Sequence, residues 1–118
     1  MNKKELKKQY KETLPPMGIY AIKNISNGKI LLGSSKNLTG KSNSFLFQLR
    51  HGSHMNSQLQ NDFNKFGESN FVFEIIDYLE PKEGVNFDYT NDLATLEELW
   101  LEKLQPYNES GYNKVKAR

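Results

Sequence analysis

Residues 18–33 have the sequence GIYAIKNISNGKILLG, in which two short apolar runs flank an asparagine–glycine pair. Asn27-Gly28 is a strong signal for a tight hairpin turn, because both residue types tolerate a positive φ. The flanking runs, Met17 to Lys23 and Lys29 to Leu32, are apolar and compatible with β-structure, so we predict that they form the two strands of a β-hairpin. The polar run Gly33 to Asn37 predicts a loop after it.

Hydrophobic spacing predicts two helices after the hairpin. Ser44 to Leu49 carries apolar residues at helical spacing, and Gly52 should end this first helix. His54 to Lys65 should form a second helix that ends at Gly67, because an apolar residue recurs every three or four positions. The apolar stripe of this second helix consists of Met55, Leu59, Phe63 and Phe66.

A third strand and a last helix complete the predicted fold. Asn70 to Leu79 is rich in aromatic and β-branched residues, so we expect a strand that is buried on much of both faces and lies at the centre of the sheet. Asn91 or Asp92 can cap a last helix that runs to Leu104, before Pro106. The predicted class is α+β: a small three-stranded antiparallel sheet flanked by helices, in the order β-hairpin, α, α, β, α.

Composition limits the kind of protein that this chain can be. Its 118 residues are enough for one domain, no apolar run is long enough to cross a membrane, and no apolar core of a signal peptide follows the N-terminus. We therefore expect a cytoplasmic protein, with a basic helical arm over residues 1–16 and a single domain over residues 17–118. Because the chain has no cysteine, metal chemistry must rest mostly on oxygen ligands.

Charges segregate along the chain. Residues 13–61 contain five basic side chains and no acidic one, whereas residues 62–109 contain twelve carboxylates and three lysines. A basic first half is typical of a protein that binds phosphate, although a solvated surface whose charges segregate explains the pattern equally well.

Glu97 stands out in the last predicted helix. The apolar stripe of that helix consists of Leu93, Leu96, Trp100 and Leu104. At about 100° per residue, Glu97 projects about 40° from Leu93, inside the stripe. A carboxylate on an apolar face must be paired, protonated or bound to a cation. A salt bridge to a lysine, a position at the edge of the stripe that reaches water, and a metal-ligand role all remain open on this pattern alone.

The chain as a whole resembles the GIY-YIG endonuclease family from Gly18 to about Asn113. Gly18-Ile19-Tyr20 stands at the first signature of that family, and Leu31-Leu32-Gly33 stands where the family has its second signature, Tyr-Ile-Gly. The other matching positions are Ser34–Leu38, Gly52–Asn56, Leu59-Gln60, Phe63–Gly67, Phe71–Ile75, Leu96-Glu97 with Trp100, and Pro106-Tyr107 with Gly111–Asn113.

The resemblance implies a GIY-YIG-type fold and a phosphodiester hydrolase that acts on DNA. Glu97 would be the protein ligand of one Mg²⁺ or Mn²⁺, and Tyr20 would deprotonate or position the attacking water. Asn113 would help to organise the site. Lys41 would stand in for the arginine that clamps the scissile phosphate. We expect DNA contacts from Lys36, Lys41, Arg50, His54, Asn56 and Gln60, although a solvated helix face explains Asn56 and Gln60 equally well.

Three departures from the family pattern weaken the expected catalytic set. Leu31 replaces the tyrosine of the second signature, and Phe45 stands at a position that is often polar or histidine. Lys41 keeps a positive charge but lacks the bidentate fork of arginine.

We therefore expect a DNA-binding protein of this family whose hydrolysis is weak or lost. An active endonuclease with an atypical site is one alternative, and a protein-interaction module is another. Site specificity in so short a chain would need a homodimer, a protein partner or the basic arm. No membrane partner is expected.

Overall fold

The computed structural model describes residues 14–82 and 88–115, and there the chain forms a three-stranded antiparallel sheet with helices on both faces. The strands are β1 (Met17–Asn24), β2 (Ile30–Ser35) and β3 (Phe71–Leu79), and the helices are α1 (Leu38–Arg50), α2 (Ser57–Phe66) and α3 (Thr90–Leu104). This order confirms the predicted α+β class. Residues 1–13 of the predicted N-terminal arm lie outside the described residues. None of the described helices is long and apolar enough to cross a bilayer.

The predicted hairpin forms, with residues 25–29 connecting its two strands, and of the pair Asn27-Gly28 only the glycine has a positive φ. Gly28 has a φ of +76°, and its backbone N–H donates to the carbonyl of Asn24 at 2.8 Å. The second strand is longer than predicted, because β2 continues to Ser35 and pairs with β1 along its whole length. Part of the polar run that predicted a loop is therefore strand, which brings Gly33 directly opposite Tyr20.

The prediction that the third strand lies at the centre of the sheet was wrong. The strand order is β2-β1-β3, so β1 is the central strand and β3 is an outer one. β1 is buried along nearly its whole length, whereas β3 exposes Glu74, Ile75 and Tyr78. Aromatic and β-branched residues indicate a strand that packs well, but its neighbours in the sheet are set by tertiary contacts that composition does not report.

Two helix starts differ from the predictions because asparagine caps set them. α1 begins at Leu38, well before the predicted Ser44, since the Asn37 side chain accepts from the backbone N–H of Gly40. α2 begins only after Asn56, whose side chain caps it. Met55 therefore lies outside α2 and is 99% exposed, so its place in the apolar stripe was also a wrong prediction.

The last helix begins close to its predicted start and does not use the predicted caps. α3 starts at Thr90, so that Asn91 and Asp92 lie inside its first turn. Its C-terminal Gln105 takes the left-handed conformation, with φ 45° and ψ 57°. Leu93 and Leu101 are its buried residues, whereas Leu104 at its end is exposed.

Alternate residues of β1 serve two hydrophobic cores on opposite faces of the sheet. Tyr20 and Ile22 pack with α1 and α2 on what we call the α1–α2 face. Ile19 and Ala21 pack with α3 on what we call the α3 face. This alternation is the two-residue period of a strand, and it puts Tyr20 on the α1–α2 face.

Candidate active site

Tyr20 lies under α1 with its hydroxyl directed over the neighbouring strand β2. Its residue is 7% exposed, and its ring stacks on Phe73 with centroids 5.2 Å apart and planes 13° apart. A Cβ on Gly33 would come within 2.5 Å of the Tyr20 hydroxyl oxygen. The glycine of the second signature position therefore leaves the space that the phenol occupies.

The other signature glycine lies next to an irregularity of the sheet. The register between β1 and β3 shifts between Ile19 and Tyr20, which is a β-bulge. Gly18 has a φ of +154°, and a Cβ there would overlap the carbonyl oxygen of Asp77. The close approach of the two backbones at this point requires glycine, and the bulge lies directly beside Tyr20.

Lys41 lies above Tyr20. Its ammonium nitrogen is 5.6 Å from the centroid of the Tyr20 ring, the geometry of a cation–π contact. Burial first and the charge of Lys41 second lower the pKa of His54. Nδ1 of His54 accepts from the backbone N–H of Asn56 at 3.0 Å, which leaves Nε2 to carry the proton of the neutral ring.

Glu97 lies on α3 and acts on Tyr20 through its charge. Burial first and the charge of Glu97 second raise the pKa of Tyr20 to about 12, so the carboxylate lies within electrostatic reach of the phenol. Glu97 is half-buried, as the sequence pattern predicts. Within residues 14–82 and 88–115, no side chain pairs with its carboxylate by an ion pair or hydrogen bond. The salt bridge to a lysine is thus not formed by any described lysine.

A single carboxylate is the donor set that this place offers to a metal. No group of three or more histidine and acidic side chains capable of holding an ion occurs in the described part of the chain. Mg²⁺ accepts one or two carboxylates and keeps several of its waters, so the unpaired carboxylate of Glu97 fits it. Any such ion would depend on water and substrate for its other ligands.

Asn113 supports the site from the side of β2. Its amide exchanges two hydrogen bonds with the backbone of Leu32: the Leu32 N–H donates to Oδ1 at 2.8 Å, and Nδ2 donates to the Leu32 carbonyl at 2.9 Å. Leu32 precedes Gly33, over which the Tyr20 hydroxyl lies. Asn113 therefore holds the backbone under the phenol in place and does not itself point at it.

Two departures from the family pattern have structural consequences. Phe45 is 5% exposed and packs on Phe73, with ring centroids 5.5 Å apart. Leu31 packs against the same core that contains Tyr20. Each of these positions contributes apolar contact beside Tyr20 and offers no hydroxyl or imidazole to a substrate.

The residues assigned to DNA contacts differ in how exposed they are and in which groups they already bond. Lys36 is exposed and donates to Thr90 Oγ1 at 2.9 Å, and the exposed Arg50 forms an ion pair with Glu68. Asn56 is half-buried, caps α2 and donates to the carbonyl of Tyr112 at 2.7 Å.

Gln60 is not available as a surface contact. It is 7% exposed, its Nε2 donates to the carbonyl of Leu49 at 2.9 Å, and its Oε1 accepts from the His54 N–H. Its amide orients the loop that carries His54. The sequence placed Gln60 on a helix, but only the packing of α1 against α2 buries it.

The sequence did not identify three features of this site. The effect of the Lys41 charge on His54, the stacking of Phe73 on Tyr20 and the pairing of Asn113 with Leu32 each join residues from different elements. Only the GIY-YIG resemblance pointed to some of these positions, and it did not say which side chains touch.

Comparison with known proteins gave two matching structures. No protein-family model and no curated protein matches the chain. The catalytic domain of the homing endonuclease I-TevI is 28% identical with a TM-score of 0.70, and the match covers 85% of this chain and 99% of that domain. A glutamate-to-alanine mutant of the catalytic domain of the intron endonuclease I-TevI is 27% identical, with a TM-score of 0.70. This match covers 87% of this chain and 97% of that domain.

I-TevI is a GIY-YIG homing endonuclease, and the likeness extends over nearly the whole of its catalytic domain. The sheet of three antiparallel strands and the three helices match that fold. The resemblance read from the signature positions is thereby confirmed, and the chain has the fold of the GIY-YIG nuclease catalytic domain.

Proposed function

We propose that this chain is a DNA-binding nuclease domain that hydrolyses phosphodiester bonds slowly, with Mg²⁺ or Mn²⁺ held at Glu97. The observation that carries the proposal is the contact of Lys41 with Tyr20: the ammonium nitrogen lies 5.6 Å from the centroid of the phenol ring. The charge of Glu97 acts on the same phenol, and no described side chain pairs with its carboxylate. A positive group, a hydroxyl and a carboxylate that can hold a metal ion are groups that cleavage of a phosphodiester can use.

The role proposed for each side chain follows from its charge state at neutral pH. Because its pKa is about 12, Tyr20 is protonated at neutral pH, so its hydroxyl can orient a water by a hydrogen bond. Lys41 would hold a phosphate oxygen by its charge. His54 is neutral with a proton on Nε2 and can donate a hydrogen bond. A divalent ion bound by Glu97 would stabilise charge on the phosphate and the leaving oxygen.

The residues around Tyr20 support a low rate of phosphodiester hydrolysis. Lys41 offers a point charge where the family has the bidentate fork of arginine, and Leu31 and Phe45 offer only apolar surface. Removing one well-placed electrostatic donor commonly costs a factor of about 10² to 10³ in rate. Losses within one catalytic unit do not add, so a measurable residual rate is expected.

A fully active endonuclease with an atypical site is the second candidate. His54 favours it, because its Nδ1 accepts from the Asn56 N–H and its Nε2 can donate a hydrogen bond to a phosphate, while the charge of Lys41 acts on the same imidazole. In that case Lys41 and His54 together would do what arginine does in the family.

Nicking of supercoiled plasmid in Mg²⁺ and then in Mn²⁺ tests the proposal. We expect slow nicking by the wild type, its loss in Glu97→Gln, and no change in Glu102→Gln, an exposed carboxylate of the same helix. DNA binding, measured by fluorescence anisotropy in EDTA, should be retained in Glu97→Gln. Equal nicking by the wild type and Glu97→Gln would contradict the assignment of Glu97, and an absence of DNA binding would contradict the proposal as a whole.

Restoring the family residues separates the two candidates. If the site is weakened, Leu31→Tyr combined with Lys41→Arg should raise the nicking rate at least tenfold over the wild type. If the atypical site is already fully active, the double variant should nick no faster. Phe47→Leu, at an exposed position of α1, serves as the control for a generic effect of substitution.

A further inference from the structure

The outer edge of β3 is open. Within the described part of the chain β3 pairs only with β1, and its other side pairs with no strand. The strand is nine residues long and contains neither proline nor lysine. Proteins usually protect such an edge by shortening it, by placing lysine or proline on it, or by a β-bulge. β3 has one bulge, between Ile75 and Asp77, and its Tyr78 N–H already donates to Asp77 Oδ1 at 2.9 Å. Apart from these interruptions, the edge presents backbone donors and acceptors that a further strand can use.

On the α1–α2 face, apolar side chains flank this edge. Ile75 is 42% exposed and Tyr78 is 56% exposed. They are opposite Tyr20 and Gly18 of β1, which places both on the α1–α2 face. Gly18 has no side chain to cover Tyr78. A strand added beside β3 would therefore meet apolar surface at every side chain that it directs to this face.

On the α3 face, the edge borders a mostly apolar groove that also contains two carboxylates. The groove has a volume of about 410 Å³ and is lined by Asp77, Leu96, Leu99, Trp100, Glu102 and Lys103. Asp77 accepts from the indole N–H of Trp100 at 3.0 Å, so its position is defined. Glu74 is exposed and lies opposite Ala21, which puts it on the same face. Three carboxylates against one lysine make this side of the edge negative.

We propose that β3 binds an extended peptide in which apolar residues alternate with lysine or arginine, by adding it to the sheet as a fourth strand. Successive side chains of a strand point to opposite faces. The apolar ones would pack on Ile75 and Tyr78, and the basic ones would face Glu74, Asp77 and Glu102. Main-chain hydrogen bonds would supply affinity, and this alternation would supply specificity. The proposal is independent of the nuclease function.

The negative charge on the α3 face of the β3 edge favours a basic peptide over two other possible occupants. A second copy of the chain would bring two acidic edges together, and single-stranded nucleic acid would bring phosphates against the same carboxylates. Both arrangements are repulsive, whereas a basic peptide is complementary to the edge.

Fluorescence anisotropy with a labelled nine-residue peptide of alternating valine and lysine tests the proposal on the full-length chain. A valine–glutamate peptide controls for charge. A valine–lysine peptide methylated on its central backbone nitrogens controls for strand pairing. We expect binding of the first peptide only. Equal binding of the methylated peptide would overturn strand addition, and equal binding of the glutamate peptide would overturn the charge pattern. No binding of the valine–lysine peptide would overturn the proposal.

Substitutions in β3 test whether the peptide binds at this strand. Ile75→Lys should weaken binding at least tenfold, and Glu74→Lys, which changes only an exposed side chain, about fivefold. Glu109→Lys makes the same charge change in the turn Asn108–Ser110, next to the β2 side of the sheet, and should change binding less than twofold. Equal weakening by Glu74→Lys and Glu109→Lys would overturn the assignment. A wild type that sediments as a dimer, and as a monomer after Ile75→Lys, would show a second copy on the edge and would also overturn it.

Discussion

The two outer strands of the sheet differ in how their free edges are treated. The edge of β2 is closed by the C-terminal segment: Gly111 forms a parallel bridge with Ile30, and the N–H of Tyr112 donates to the Ile30 carbonyl at 2.8 Å. Asn113 continues this pairing through its side-chain amide, which bonds the backbone of Leu32. The edge of β3 has no such cover from the described residues.

The closed edge is the one that supports the candidate active site. The Tyr20 hydroxyl lies over Gly33 of β2, so a shift of that strand would change the space that the phenol occupies. The closing segment is itself held, since the Tyr112 hydroxyl donates to Asp62 at 2.7 Å and accepts from Asn24 at 3.0 Å. A catalytic arrangement needs supporting contacts of this kind, whereas a surface that receives a partner strand must stay open.

The largest effect is expected from breaking the closed edge with Gly111→Ala. A Cβ at Gly111 would overlap the backbone of Pro106, which cannot move as a flexible side chain would. We expect a loss of about 3 kcal/mol in the free energy of unfolding, measured by urea denaturation. Gly28→Asn is the control, because Gly28 has open space around it and asparagine tolerates its positive φ. Unfolding of Gly111→Ala at the wild-type urea concentration would contradict this role of the segment.

The second prediction uses the ionisation of Tyr20 on the closed side. Burial and Glu97 raise the pKa of Tyr20 from 10.0 to about 12 in the folded protein. A raised pKa contributes stability that is complete below pH 10 and is lost as the pH rises toward 12, because the unfolded chain releases the proton first. Between pH 10 and pH 12 the wild type should lose about 2 kcal/mol more than Tyr20→Phe.

Chemical denaturation at a series of pH values measures this difference. Val72→Ala in β3 removes apolar contact and no ionising group, so its stability should fall with pH in parallel with the wild type. Parallel curves for the wild type and Tyr20→Phe would mean that the phenol is not held in its neutral form.

The smallest change in the free energy of unfolding is expected for a substitution at the outer edge of β3. A matched substitution in β2 tests whether the two edges differ. Tyr78→Thr in β3 changes an exposed side chain and should alter the free energy of unfolding by less than about 0.5 kcal/mol. Leu32→Thr in β2 buries a hydroxyl at a 3% exposed position and should cost about 2 kcal/mol. Equal costs measured by urea denaturation would show that the two edges do not differ in the way described.

Local signals explain which parts of the fold could be predicted. The Asn27-Gly28 turn, the apolar period of α2 and the position of Glu97 inside the stripe of α3 each depend on residues within a few positions of one another. The start of α1 depends on an equally local cap at Asn37, but the polar residues around it concealed the first turns of the helix.

The candidate site could be predicted only in part. The resemblance to the family pointed to Tyr20, Lys41 and Glu97. The Lys41 ammonium group lies over the Tyr20 ring, and the catalytic roles of the three residues stay predictions. The resemblance could not show that Gln60 is buried or that Arg50 pairs with Glu68, because both facts depend on contacts between separate elements.

The sequence by itself determined the order of the elements, the hairpin turn and the residue types available for chemistry, since these follow from backbone preferences and from spacing along the chain. Tertiary structure alone decided that β1 is central, that no described segment pairs with the outer edge of β3, and that Asn113 bonds a strand 81 residues away. The physical reason is that hydrogen bonds along a sheet edge and contacts between elements join residues whose separation in sequence carries no periodic signal.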